Sequence, residues 1–199
     1  MKRAIDIVVL PPQHIYKDVI ELSALMNKGV RDSEILLGNT YIPHITLVHA
    51  CVDENEFPSL HEFVARTLKY TRPFALTADK IIDDGNGFFA LNILPNAELT
   101  ALHKILLQKL KTMHTKPVTA DAFIVDPGQT INDMTIQWVT TFIDNLIRDQ
   151  SYWPHITLAQ NSNFIPDWNT QTFTADRIAI CHVGNNCTCR KILHEWKLR

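Results

Sequence analysis

A mixed α+β fold is predicted by three observations: compact β-branched runs, amphipathic stretches with helical spacing, and Gly/Asn turns that join alternating segments. Residues 5–10 form an apolar run closed by Pro11-Pro12 and read as a buried strand. Over 13–27, Ile15, Val19, Ile20, Leu22, Leu25 and Met26 recur at helical spacing, and Gly29 follows as a stop. A second strand is expected over 41–48 and a second helix over 57–68, with Phe57, Leu60, Val64 and Leu68 on one side. Residues 74–82 and 88–94 flank Asp83-Asp84-Gly85-Asn86-Gly87, a hairpin signal. Asn96 is placed to cap a helix over 97–113, with Leu99, Leu102, Ile105, Leu106 and Leu110 inward. Residues 116–129, with Pro117, Pro127 and Gly128, read as a loop holding a short strand, followed by a helix over 133–148. A strand over 152–159 and a closing hairpin of 177–183 and 188–198 complete the chain.

Composition narrows the class. Apolar residues make up 46% and charged ones 20%, enough for a buried core and unlike a disordered, collagen-like or coiled-coil chain. Without a linker or low-complexity tract, 1–199 is expected to fold as one bilobal domain. The formal charge of −2 argues against long DNA or RNA, whose binding by counterion release calls for a basic excess. No apolar run nears the roughly 20 residues that cross a bilayer. Four unevenly spaced cysteines suit reduced thiols and a cytoplasmic location.

Function rests on a repeat. Tyr41-Ile42-Pro43-His44-Ile45-Thr46-Leu47 recurs as Tyr152-Trp153-Pro154-His155-Ile156-Thr157-Leu158, differing only at the second position. Each copy follows a helical stretch, and residues 122–125 before the second echo 5–9, so two related halves are expected. Strand alternation sends His44 and Thr46 to one face, as it does His155 and Thr157, while Ile45, Leu47, Ile156 and Leu158 fill the core. Two imidazoles divide acid and base work, and two hydroxyls hold anionic oxygens. That set suits in-line displacement at a phosphodiester without a metal or another cofactor.

The paired His-x-Thr-x motifs, each after aromatic-x-Pro, resemble those of the 2H phosphoesterase superfamily, which includes RNA ligase-like enzymes and 2′,3′-cyclic phosphodiesterases. The resemblance implies two pseudo-symmetric lobes whose antiparallel sheets line a central cleft, with helices outside and His44, Thr46, His155 and Thr157 inside. It implies a metal-independent phosphodiesterase acting on 2′,3′-cyclic phosphates or short 2′,5′-linked oligonucleotides. The alternatives are a non-catalytic nucleotide- or RNA-binding module and a 2′,5′ RNA ligase. The partner is then a small nucleotide or short RNA, and the protein a monomer. Gln160 stands where many bacterial RNA ligase-like members carry arginine.

The remaining candidates carry less. Trp153 has the parity for the cleft and for base stacking, while Tyr41 and Tyr152 have the opposite parity and suit core packing or substrate contact. Cys181, His182, Cys187, Cys189 and His194 match no strong zinc spacing, so no metal is expected. His14, His49, His61, His103 and His114 read as surface or structural residues, and Arg31, Lys116, Arg190 and Lys191 as solvated cations or phosphate contacts.

Overall fold

The computed structural model describes residues 1–30, 35–38, 41–125, 127–149 and 151–199. Twelve main elements alternate: β1 (Lys2–Val9), α1 (Gln13–Met26), β2 (Ile45–Asp53), α2 (Phe57–Leu68), β3 (Phe74–Asp83), β4 (Phe88–Ile93), α3 (Ala97–Met113), α4 (Asp133–Asp149), β5 (His155–Gln160), β6 (Gln171–Ala175), β7 (Arg177–Val183) and β8 (Cys189–Lys197). The strands form two antiparallel four-stranded sheets, ordered β2-β1-β7-β8 and β5-β4-β3-β6. No helix among the described residues is long and apolar enough to cross a membrane.

The sheet orders expose the internal symmetry. β2 and β5, the strands of the repeated heptad, are each the edge of a sheet, and each pairs with one inner strand, β1 or β4. The counterpart of β1 is therefore β4, not residues 122–125, which lie beyond a short 3₁₀ turn (Ala120–Ala122). No strand is found among the described residues of 116–129; Ile124 donates a single backbone bond to Val183. The helices cross over: α1, which joins β1 to β2, packs on β5, whereas α3 and α4, between β4 and β5, pack on β2.

Both motif strands begin later than alternation alone suggests. β2 starts at Ile45 and β5 at His155, because Pro43 and Pro154 bring no N–H to the ladder. Each then carries a bulge. Val8 faces Thr46 but Ile7 faces Val48, and Ala90 faces Thr157 but Phe89 faces Ala159. The extra residues are Leu47 and Leu158, both fully buried. A bulge inserts one residue into one strand and resets which face the following side chains take.

A bulge also interrupts the ladder and leaves carbonyls that need donors. In the first copy His103 of α3 donates through Nδ1 to Leu47 O at 2.7 Å, and Tyr152 Oη donates to Thr46 O at 2.8 Å. In the second copy Ser23 of α1 donates to Leu158 O at 2.7 Å, and Leu37 N donates to the same hydroxyl oxygen at 3.2 Å. His103 and Tyr152 are also stacked, ring centroids 4.0 Å apart.

The helices otherwise follow their patterns. Asn96 caps α3 by accepting from Leu99 N at 2.8 Å, and Leu99, Leu102, Leu106, Leu110 and Met113 are buried. Ile105 and Leu25 turn to solvent despite their helical spacing. The edge strand β6 is not apparent from the sequence, since Gln171-Thr172-Phe173-Thr174-Ala175 has one large apolar residue. Ser23→Ala removes a buried donor to Leu158 O and the acceptor of Leu37 N. The expected cost is about 1–3 kcal/mol of unfolding free energy, read by urea denaturation.

Candidate functional site

The edge strands lie side by side, and their polar faces open on one cavity of about 620 Å³. His44, Thr46, His155 and Thr157 all line it. Each histidine is held in the same way: His44 Nδ1 lies 2.7 Å from Ile42 O, and His155 Nδ1 lies 3.0 Å from Trp153 O. A carbonyl only accepts, so both Nδ1 atoms carry hydrogen, and whenever either ring is neutral its free lone pair is on Nε2. Burial lowers the His44 pKa to about 4 and that of His155 below its ordinary value, so neutral imidazole is the resting form at pH 7.

The three aromatic candidates also border this space. Trp153 stacks on His155, centroids 4.2 Å apart, and its Nε1 donates to Asn92 Oδ1 at 2.8 Å, which fixes the ring behind the imidazole. Tyr41 and Tyr152 precede the strands, so strand parity does not govern them, and both reach the cavity. Tyr41 lies beneath the Arg190 guanidinium, 4.5 Å from its ring centroid.

The structure brings in residues that the sequence pattern missed. His49 follows Thr46 by three, which plain alternation sends to the opposite face; the Leu47 bulge returns it to the cleft. There it meets Asp6 of β1, its direct cross-strand partner. Asp6 is fully buried, and three groups converge on its Oδ2: Thr46 Oγ1 donates at 2.7 Å, His44 Nε2 lies at 3.5 Å and His49 Nδ1 at 3.6 Å. Burial holds the Asp6 carboxyl well above the usual carboxylate range and lowers the His49 pKa to about 3. The second copy has no such pair. The Leu158 bulge puts Gln160 where His49 stands, opposite Phe88 where Asp6 stands.

α4 supplies the other missed wall. Met134, Trp138, Phe142 and Asn145 face the cavity from this helix. Their signal is present as an i, i+4, i+8, i+11 stripe beside the core stripe of Val139 and Ile143. No lysine or arginine lines the cavity among the described residues. Lys116 instead pairs with Asp144 at 2.6 Å, and Arg31 lies outside the described residues.

The cysteines do not assemble with His182 and His194. His182 bonds Ala122 O, His194 meets His61 Nε2 to Nε2 at 3.0 Å, and Cys181 and Cys189 are buried. Asp6, His44 and Cys189 do place ligand-type atoms within 4.8 Å of one another. Burial raises both the Asp6 carboxyl and the Cys189 thiol well above their ordinary ranges, which opposes the proton loss that a metal ligand needs.

A sequence profile of the 2′-5′ RNA ligase superfamily matches residues 39–180, which contain both motif copies and α4. The chain belongs to that superfamily. Among solved structures, Escherichia coli LigT complexed with ATP is similar at 14% identity and TM-score 0.62, covering 99% of this chain and 98% of that one. The protein TT0787 of Thermus thermophilus gives 15% identity and TM-score 0.63, covering 98% of each chain. A structure described as a phosphoesterase gives 14% and 0.57, covering 100% of this chain and 99% of that one. At these identities the likeness shows the 2H phosphoesterase fold. No curated protein sequence matches the chain.

Neutral burial of His44 and of His49 sets a pH signature. The unfolded chain protonates its histidines near 6.5, while folded His44 and His49 resist until about 4 and about 3. Their contribution to stability is full above pH 6.5 and is lost as pH falls toward 4. His49→Gln, which copies the residue at the equivalent place in the other lobe, is expected to flatten the pH dependence of unfolding free energy between pH 6.5 and 4.

Proposed function

We propose that the chain is a phosphodiesterase in which His44 and His155 exchange protons across one phosphorus atom, on 2′,3′-cyclic phosphate ends or nucleotides, or on short 2′,5′-linked oligonucleotides. One observation carries this reading: two histidines from different sheets, each pinned through Nδ1 to the carbonyl two residues before it, present Nε2 to the same cavity. Rings oriented in that way have one nitrogen each for proton exchange with a bound ester. Thr157 Oγ1, on the cleft face, is placed to donate to a non-bridging oxygen.

The cavity supports a small substrate. About 620 Å³ holds a mononucleotide or a dinucleotide. Its walls of Trp138, Phe142, Phe88 and Trp153 suit a nucleobase, and the lack of lining cations among the described residues suits a single phosphodiester charge. LigT structures have been solved with ATP, with 3′-AMP and with NADP+, all small nucleotides. The proposed chemistry needs no metal: one imidazole removes a proton from water, and the other protonates the departing sugar oxygen.

His44→Ala and His155→Ala are each expected to lower kcat on a 2′,3′-cyclic nucleotide by about 10²–10⁴-fold, in buffer containing a chelator. Wild-type rates in either alanine variant overturn the reading. Trp138→Ala is expected to raise KM by about tenfold through lost stacking while leaving kcat near the wild-type value, as measured by initial rates.

A further inference from the structure

General acid–base catalysis requires a proton to give, and the two motif histidines as they stand have none to spare on Nε2. Burial favours the neutral form of each ring, whose one N–H is then committed to a backbone carbonyl. Two such rings make two bases. The fold sets a place for a transferable proton beside His44.

That place is Asp6. It sits on the cleft-side face of β1 among Ala4, Val8, Cys181 and Cys189, all without solvent contact. Its Oδ1 finds no hydrogen-bond donor. An ionised carboxylate with one bare oxygen in such surroundings is costly, whereas the acid form is tolerated. The titratable groups that face it are His44 just before β2, His49 of β2, Cys181 of β7, Cys187 in the turn before β8, Cys189 at the start of β8, and Tyr152 before β5. None of these is a permanent cation that would draw the proton off. His44 Nε2, at 3.5 Å, is close enough to receive it yet too far for a tight bond, so the nitrogen stays available to a ligand in the cavity. The other lobe has Phe88 in the equivalent position, and the carboxyl that acts on His155 is Asp84, which is exposed and so lacks the burial that favours a held proton.

We propose that Asp6 is a positioning residue that supplies the leaving-group proton through His44, which makes His44 the acid and His155 the base. This rests on the phosphodiesterase reading. His155 Nε2 takes a proton from the attacking water as the new P–O bond forms. The P–O bond to the sugar breaks, its electron pair goes to the sugar oxygen, and that oxygen takes the proton from His44 Nε2. Asp6 Oδ2 has passed its own proton to His44, and the carboxylate left behind is stabilised by the Thr46 hydroxyl, which already donates to it at 2.7 Å. After product leaves, His155 releases its proton to water in the cavity, and a water proton returns to the buried Asp6 through His44 Nε2.

The test compares wild type with Asp6→Asn, which keeps the acceptor for Thr46 but has no proton to transfer. Two substrates are used: 2′,3′-cyclic AMP, whose sugar oxygen must be protonated to leave, and a nucleoside p-nitrophenyl phosphodiester, whose leaving group departs as the anion. The expected result is a kcat loss of about 10²-fold or more on the cyclic nucleotide and less than about threefold on the nitrophenyl ester. An equal loss on both substrates, as a merely structural role would give, overturns the proposal, as does no loss on either. A second measurement needs no variant: ¹³C NMR of wild-type protein labelled at the aspartate carboxyls. One carboxyl still protonated at pH 7 supports the proton store, and full ionisation overturns it. If wild type turns over neither substrate, the phosphodiesterase reading fails, and the NMR result still decides the state of Asp6 by itself.

Discussion

One inserted leucine in each motif strand is the constraint on which the site depends. Leu47 and Leu158 each break the pairing of an edge strand, and the break does two things. In the first copy it returns His49, three after Thr46, to the cleft, and in both copies it frees carbonyls that the ladder no longer satisfies. Those carbonyls are taken up by side chains from the opposite half: His103 and Tyr152 in the first copy, Ser23 in the second. Ser23 and His103 come from α1 and α3, the helices that cross to the other sheet. The same irregularity that shapes the cleft therefore ties the two lobes together.

Symmetry at the backbone is then broken by side chains. His44 and His155 have the same ring tether and the same buried leucine three residues on, yet the residues beside them differ in kind. Asp6 and His49 give the first lobe a buried polar floor, whereas Phe88 and Gln160 take the equivalent places in the second, where the acidic group that acts on His155 is the exposed Asp84 on the cavity wall. A low-dielectric surrounding amplifies such a difference, because each charge state is decided by a few neighbours within a few ångströms. Two sites built alike can thus hold different numbers of protons.

Much of this is legible in the sequence, for definite reasons. The duplicated heptad identifies the motif strands, and alternation places His44 with Thr46 and His155 with Thr157 on shared faces, where the structure has them. The helices are legible because their buried positions recur at regular spacing. What is not legible depends on breaks in periodicity. His49 counts to the wrong face unless Leu47 is known to be extra, and nothing in a single apolar leucine announces a bulge. Asp6 reads as a polar interruption in a buried strand, and its meaning appears only when β2 pairs with β1. The tyrosines count as strand residues by pattern, but the prolines that follow them delay the ladder.

The cavity walls bear on how the site would hold a phosphate on the proposed reading. With no lysine or arginine among its described lining residues, the oxygens of a bound ester would meet hydrogen-bond donors in place of ion pairs. Gln160, at the position where many bacterial RNA ligase-like members have arginine, follows the same pattern of a neutral donor. Such donors discriminate by geometry more than by charge, and each added phosphate would enter a buried space without a counterion. The neutral floor also suits the proton store beneath it: a guanidinium beside Asp6 would favour the carboxylate and release the proton to solvent. On the proposed reading, the lack of lining cations among the described residues and the burial of Asp6 are two expressions of one electrostatic choice, in which the cleft favours a held proton over ionic attraction for its ligand.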